Sequence, residues 1–177
     1  MANLSSEEKR ILSAYREFFG ENYSPSAQNT DIHVQTHKMC YFLNRIHCDI
    51  IDTGYVWNTF GPFSVCLQET LKQIDQDKDL LEAFYDDNTY SANNILDDNV
   101  LEGINKLRDG LQILNYKKES RHWIELLASL SFLAHSVLPV SEFDNINTEL
   151  KARKNLFTND DENQKAWSLL QELKVAY

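Results

Sequence analysis

The chain has 177 residues, 42% of them hydrophobic, which is enough for one well-buried core and too few for two domains of ordinary size. Its 27 acidic and 17 basic side chains give a formal net charge of -10, which argues against general binding to a phosphate backbone. With only 5 Gly and 3 Pro, loops should be few and short, which disfavours an all-β fold.

The cysteines and the N-terminal sequence indicate the compartment. Cys40, Cys48 and Cys66 form neither an even disulfide framework nor a CxxC pair, so thiols in a reducing compartment are expected. The first ten residues, MANLSSEEKR, lack the basic start and apolar core of a signal peptide. No apolar run approaches the roughly 18 residues of a membrane span. The prediction is a cytoplasmic protein with no membrane contact.

Two helices are predicted before residue 50. Ser5 and Glu8 have the spacing of a capping box, and Gly20 is a typical helix stop, so the first helix lies between them. A polar loop should follow. The second helix is predicted from an N-cap at Asp31 to about Cys48.

An aromatic stretch, YVWNTFGPFSVCL, interrupts the helical pattern. Branched and aromatic residues at Tyr55–Trp57 favour a short strand, which we expect to pair with the Asp49–Ile51 region as a hairpin. Gly61 and Pro62 are expected to end that strand, and Ser64 to cap the next helix.

The remaining sequence is typical of helices. One short helix is predicted between residues 75 and 98, and a long one begins at Asp97 or Asp98. Apolar residues nearly encircle the segment 119–137, which predicts a central helix. Two shorter helices should follow, capped by Ser141 and Asn159 respectively.

The predicted fold is therefore mostly α. We expect a compact multi-helix domain with a small two- or three-stranded β element around residues 49–60, and a single domain covering residues 1–177.

The chain resembles the Panacea-type antitoxin domains and a related group of short bacterial proteins. The resemblance rests on HKMCYFLNRI (His37 to Ile46), on the aromatic strand after Gly54, and on FGPFSVCL (Phe60 to Leu67), where the family tends to have Tyr-Gly-Pro-Tyr-Ser or Tyr-Gly-Pro-Val. HWIELLASLSFL (His122 to Leu133) is similar to a helix of the second group. The Panacea-like core spans about residues 31–137, with C-terminal helices at 141–176.

This resemblance implies a largely helical domain with a small β element and no known catalytic residues. Antitoxin members neutralise a toxin by binding it. The chain departs from the commonest family pattern because Trp57 stands three residues before Phe60 and Cys48-Asp49 follows the helix.

The aromatic stretch has two interpretations. Gly and Pro can shape a turn on purely structural grounds, with the flanking rings buried. Exposed rings would instead form a partner-binding patch of the kind found at interaction hot spots. The candidate partner-binding residues are Tyr55, Trp57, Phe60, Gly61, Pro62 and Phe63.

A second candidate site lies on the second helix. His33, His37 and Cys40 share one flank of it, and side chains at such spacing can converge on a metal ion. His47 lies too far along the axis from Cys40 to join them, so a further ligand such as His122 or Cys66 would be needed. The alternative is an ordinary polar helix flank.

Three functional hypotheses follow. The first is a cytoplasmic interaction protein without cofactor or catalysis, which binds another protein, with a basic toxin as the candidate partner. The second is a metal-binding protein or hydrolase that uses His33, His37 and Cys40. The third is a DNA-binding regulator, for which the basic groups Lys117-Lys118-Arg121 and Lys151-Arg153-Lys154 are the only candidates.

Overall fold

A computed structural model describes residues 4–20, 28–46, 54–86, 91–117 and 120–175. The described part is mostly helical with one small antiparallel sheet, which confirms the predicted fold class. Its helices are α1 (Ser6–Phe19), α2 (Thr30–Arg45), α3 (Val65–Gln76), α4 (Lys78–Asp86), α5 (Ala92–Ile95), α6 (Asp98–Ile113), α7 (His122–Phe132), α8 (Phe143–Arg153) and α9 (Asp160–Glu172). Its strands are β1 (Val56–Asn58) and β2 (Gly61–Phe63).

Several helix ends lie where the sequence predicts them. Ser5 and Glu8 form a reciprocal capping box at the start of α1, and Gly20 ends that helix with a φ of 96°. The Asp97 carboxylate accepts a hydrogen bond from Val100 N at the start of α6. Asn159 caps α9 in the same manner.

Other helix boundaries differ from the prediction. The N-cap of α2 is Asn29, whose side chain accepts from the backbone of Asp31 and Ile32, so the predicted cap at Asp31 is wrong. The N-cap of α8 is Glu142 without a side-chain hydrogen bond, so Ser141 does not cap it. Two helices, α4 and α5, occupy the acidic region for which one was predicted.

The centre of the fold is α7, as its nearly encircled apolar pattern predicts. Every residue from Ile124 to Ala134 is buried. The helix packs against α2, α8, α9 and β2, and a π-helical turn at Leu133–Val137 continues it. A helix that is covered on all sides places its few polar side chains in the interior, and one of them, Glu125, belongs to the site described below.

The apolar core extends from α7 to the contact between α1 and α6. The two helices meet through large aliphatic and aromatic side chains that are nearly inaccessible to solvent. These are Ile11, Leu12, Tyr15, Phe18 and Phe19 from α1, and Val100, Ile104, Leu107 and Leu111 from α6.

The described hairpin pairs β1 with the segment that follows it in the chain. β1 pairs with β2, with Trp57 opposite Pro62, and Thr59-Phe60 form the turn. Gly61 and Pro62 therefore form the second strand, and the prediction that they end the strand is wrong. Proline is compatible with a strand that lacks a neighbour on its N–H side. The predicted strand at Asp49–Ile51 lies outside the described residues.

Beyond the hairpin the chain enters α3 as predicted. Ser64 is the N-cap, and its hydroxyl accepts a hydrogen bond from Leu67 N at 3.3 Å. Within the described ranges, no helix combines the length and the apolar character that crossing a membrane requires.

Candidate functional site

The predicted partner-binding residues all belong to the described part of the chain. Gly61 and Pro62 are buried on the inner side of the hairpin, against α2 and α7. The four rings are half-buried, so they are neither wholly in the core nor freely exposed. These rings, which we call the hairpin face, are Tyr55, Trp57, Phe60 and Phe63.

Trp57 lies between the core and a pair of cations. Its ring centroid is 6.0 Å from that of Phe132. The Arg153 guanidinium carbon lies 5.2 Å from the Trp57 centroid, and Lys154 Nζ lies 5.6 Å from it. Cations at this distance from an indole are attracted to its electron-rich face, which fixes the orientation of the ring.

Each of the other three rings has its own support. The Arg121 guanidinium carbon lies 4.5 Å from the centroid of Phe60. Phe63 stacks on His37, with centroids 4.7 Å apart and an interplanar angle of 17°. Tyr55 meets Tyr41 in a T-shaped contact at 5.2 Å. The hairpin face is thus an ordered surface with fixed ring positions.

Two buried lysines donate hydrogen bonds to backbone carbonyls of the hairpin from its inner side. Lys38 Nζ, on α2, donates a hydrogen bond to Pro62 O at 2.6 Å. Lys154 Nζ, just after α8, donates to Thr59 O at 2.8 Å. The two lysines are 2% and 7% exposed. The bond of Lys38 is buried, whereas that of Lys154 is partly buried because Thr59 is exposed. Hydrogen bonds from an ammonium are roughly twice as strong as neutral ones.

Glu125 is the buried carboxylate that accompanies these lysines. It lies on α7, is 3% exposed, and its Oε1 accepts from Lys154 Nζ at 2.5 Å. Its Oε2 accepts from Arg121 Nε at 3.1 Å, and Arg121 also bonds Asp31 Oδ1 at 2.7 Å. We call Lys38, Glu125, Lys154 and Arg121 the charged cluster.

The charged cluster holds more buried positive than negative charge. Lys38 and Lys154 are both deeply buried, whereas Glu125 is the only buried carboxylate among these four residues. Burial lowers the pKa of Lys38 to about 7, Glu125 opposes this shift, and Lys154 adds to it. The pKa of Lys154 is also lowered by burial, although its hydrogen bond to Glu125 raises it in part.

The two histidines predicted on the flank of α2 meet each other beside the hairpin. Their ring centroids are 4.7 Å apart. His37 Nδ1 accepts a hydrogen bond from Ser64 N at 3.4 Å, so the neutral ring carries its proton on Nε2. Burial lowers the pKa of His37 to about 2, helped by His33 and Lys38, while Gln68 raises it. Burial also lowers the pKa of His33.

A cleft of about 200 Å³ lies between α2 and the hairpin. Its polar lining comes from His33, His37 and Lys38, and its apolar walls include the rings of Phe60 and Phe63. Two ring nitrogens here, His33 Nδ1 and His37 Nε2, are buried and make no hydrogen bond of normal geometry to the described residues. The cleft therefore combines apolar walls with unused polar groups.

Cys40, the third predicted metal ligand, points into the core. It is fully buried, and burial raises the pKa of its thiol to about 12, which keeps it from being a thiolate at neutral pH. Across the described ranges, no three His, Cys, Asp or Glu side chains group in a way that could hold a metal ion. His47 and Cys48 lie outside those ranges.

The two candidates for a further metal ligand, His122 and Cys66, do not join the histidines of α2. His122 Nε2 lies 3.0 Å from Glu162 Oε2. Cys66 is an exposed free cysteine on α3. The structure thus brings together His33 and His37 from the predicted set, and it adds Lys38 to them in place of a cysteine.

Arg121 from the first basic group, and Arg153 and Lys154 from the second, lie beside the hairpin, and all three are in ion pairs. Arg121 and Lys154 share Glu125, and Arg153 Nε bonds Glu149 Oε1 at 2.5 Å. Lys151 bonds Asp160 at 2.7 Å. Lys118 lies outside the described residues. These residues therefore give paired charges rather than an open row of cations.

Lys38 and Glu125 are the members of the charged cluster that sequence reasoning missed, since Arg121 and Lys154 belong to the two basic groups. Glu125 is the only acidic residue in the apolar run WIELLASLSFL, and Lys38 lies within the buried face of α2. A lone charge inside a nearly encircled helix is a usable signal, because charged residues are almost never fully buried unless they are paired.

No protein-family model, curated protein or solved structure matches this chain.

Proposed function

We propose that this chain is a protein-binding domain of Panacea type that neutralises a toxin by holding it against the hairpin face. The observation that carries the proposal is the pair of buried ammonium groups, Lys38 and Lys154, bonded to the hairpin carbonyls at 2.6 and 2.8 Å. They fix the backbone below four half-buried rings. A surface that is ordered before binding loses less conformational entropy when a partner arrives.

The composition of the hairpin face supports a binding role. Trp, Tyr and Arg are the residues most enriched among those that contribute most to protein interfaces. Here the Arg153 guanidinium covers the ring face of Trp57, and the Arg121 guanidinium covers that of Phe60. Tryptophan, which has few rotatable bonds, presents a large contact area at low entropic cost.

The net charge of the protein acts on a partner at a longer range than the contacts of the hairpin face do. The net charge of -10 attracts a basic protein during diffusional encounter. Near the hairpin Arg121, Arg153 and Lys154 are paired with carboxylates, so the contact itself depends on the rings. The proposal therefore combines a basic partner, steered by the overall charge, with an aromatic contact surface.

The proposal places the complex in the cytoplasm. Cys40 and Cys66 carry free thiols, which fit a reducing compartment.

The test uses the small protein encoded by the gene next to this one. We expect that protein to arrest growth when expressed alone, and co-expression with this chain to restore growth and yield a stable complex. Trp57→Ala and Phe60→Ala should weaken the complex at least tenfold each. The matched control is Ile113→Ala, because Ile113 is 71% exposed and lies away from the hairpin at the end of α6.

Two results would contradict the proposal. One is a neighbour that is harmless and does not co-purify. The other is a complex that Ile113→Ala weakens as much as Trp57→Ala does, because binding would then not depend on the hairpin face.

A further inference from the structure

We propose that the cleft between α2 and the hairpin binds a small carboxylate with a flat apolar body. The cleft is lined by His33, His37, Lys38, Phe60 and Phe63, and it has a volume of about 200 Å³. This site goes beyond the proposed protein contact, and its occupant is a free small molecule.

The first argument is the charge balance of the interior. Lys38 and Lys154 are buried cations, and Glu125 bonds only Lys154 of the two. Lys38 therefore has a carbonyl partner, Pro62 O, but no direct carboxylate partner among the described residues. A buried cation without an adjacent anion is costly. An anion in the cleft that Lys38 lines would supply the missing negative charge.

The second argument is the set of unused donors. An ammonium has three N–H groups, and the described hydrogen bond of Lys38 uses one. His37 is 1% exposed, and its Nε2 carries the proton because Nδ1 accepts from Ser64 N. The Gln68 side chain approaches both histidine rings and raises the pKa of each. His37 Nε2 nevertheless makes no hydrogen bond of normal geometry to the described residues. Two donors on one lining suit the two oxygens of a carboxylate.

The third argument is the shape and size of the cleft. Phe60 and Phe63 give it aromatic walls, and His37 stacks on Phe63. Flat rings pack well against such walls. A volume of about 200 Å³ is below the usual range of roughly 300–1,000 Å³ for drug-sized ligands, so the occupant must be about as small as benzoate.

Binding should be linked to protons. Burial lowers the pKa of Lys38, Glu125 raises it and Lys154 lowers it further. Burial also lowers the pKa of His33, Gln68 raises it, Lys38 lowers it and Asp75 raises it. A bound anion beside Lys38 favours its charged form, so its pKa rises from about 7 and the protein takes up a fraction of a proton near neutral pH.

The experiment is calorimetric titration of the purified chain alone with benzoate, benzamide and benzylamine at pH 7. Benzoate should bind at least tenfold more tightly than either the neutral or the cationic analogue, since the three share a ring and differ in charge. Repeating the benzoate titration in two buffers of different ionisation enthalpy measures proton uptake, which should be positive.

Variants connect binding to the cleft. Lys38→Met should weaken benzoate binding at least tenfold and abolish the proton uptake. Lys72→Met is the matched control, because Lys72 is exposed and pairs with Glu69 on α3. Asn58→Trp, which places a large ring on the exposed rim of the cleft, tests the location independently if Lys38→Met does not fold.

The proposal is overturned by any of three results. These are no benzoate binding up to about 10 mM, equal affinity for benzamide, or unchanged binding in both Lys38→Met and Asn58→Trp. Because no second protein is present, these results leave the proposed toxin binding untouched.

Discussion

The contact between α1 and α6 and the space beneath the hairpin are equally buried, yet they are built from different chemistry. The first is aliphatic and aromatic, with side chains such as Leu12 and Leu107 at no more than 1% exposure. The second contains Lys38, Glu125 and Lys154, which are 2%, 3% and 7% exposed. The molecule thus uses an apolar core in one place and an ionic one in another.

The two kinds of interior have different structural roles. Apolar packing is non-directional, so the helices of the first region are held together by area and shape. Hydrogen bonds from an ammonium to particular carbonyls, Pro62 O and Thr59 O, determine where the hairpin backbone lies. A buried ion pair often adds little net stability compared with apolar residues. We therefore infer that the charged cluster positions the hairpin more than it stabilises the fold.

The largest effect is expected for Glu125→Gln, which tests whether the region beneath the hairpin depends on charge. The substitution keeps the shape of the side chain but leaves buried cations without their carboxylate, which should cost about 3–5 kcal/mol in the free energy of unfolding. Urea unfolding at pH 7 measures the loss. The cost should shrink at about pH 9, because Lys38, with a pKa of about 7, is then largely neutral.

Two controls accompany this variant. Ser129→Ala lies one turn further along α7 and removes a buried hydroxyl that makes no hydrogen bond to the described residues, so it should be nearly neutral. Leu107→Ala in the apolar region should cost about 2–5 kcal/mol at both pH values. A pH-independent loss in Glu125→Gln would show that charge is not the cause.

The next effect concerns the backbone at Gly61. Its φ is +89°, and a Cβ there would lie 2.6 Å from Ser129 Oγ. Gly61→Ala should therefore cost about 1–2 kcal/mol for the left-handed backbone and a further ~1–3 kcal/mol for the collision.

A double-mutant cycle separates these two causes. In Gly61→Ala/Ser129→Ala the collision with Oγ is removed, so stability should return in part, and the backbone cost should remain. Thermal or urea unfolding of the three variants gives the coupling energy. Strict additivity would show that the hairpin does not pack on Ser129 as described.

The sequence predicts the fold better than it predicts the hairpin. Periodic apolar positions and the caps at Ser5, Asp97 and Asn159 are local signals, so most helices are found. The hairpin depends on a long-range choice. Gly61 and Pro62 have the local character of a strand break, but packing against α2 and α7 makes them the second strand.

The site could be predicted only in part for a related reason. His33 and His37 share a helix flank, and that proximity follows from helical spacing. Lys38, Glu125 and Lys154 come from three helical regions separated by many residues, and nothing local connects them. Cys40 was expected beside the histidines, yet it faces the core because the apolar face of α2 is wider than its periodicity indicates.

A smaller effect is expected from His37 beneath the hairpin, which should make the free energy of unfolding fall in acid. The pKa of His37 is about 2 in the folded state and 6.5 as an unperturbed group, so below pH 6.5 the unfolded state binds more protons. Stability should fall as the pH decreases, with a slope of up to about 1.4 kcal/mol per pH unit and a loss of roughly 1–2 kcal/mol by about pH 5.

His37→Gln tests the origin of that slope. The variant should lose most of the acid sensitivity contributed by this side chain, while Leu107→Ala should keep the full slope and only lower the whole curve. Urea midpoints between about pH 5 and pH 7 provide the comparison. An unchanged slope in His37→Gln would assign the acid sensitivity to other groups.

The smallest expected effect comes from a lysine outside both regions. Lys72 pairs with Glu69 at 2.8 Å, and both side chains are at least half exposed, so Lys72→Met should change stability by less than about 0.5 kcal/mol.

Lys38→Met is the same substitution on a buried cation. Because the folded pKa of Lys38 is about 7 against an ordinary value of 10.5, the unfolded state binds more protons between these values, and stability rises with pH there. Lys38→Met should remove that rise in stability with pH. Lys72→Met should leave it intact, because Lys72 is exposed whereas burial beneath the hairpin lowers the pKa of Lys38.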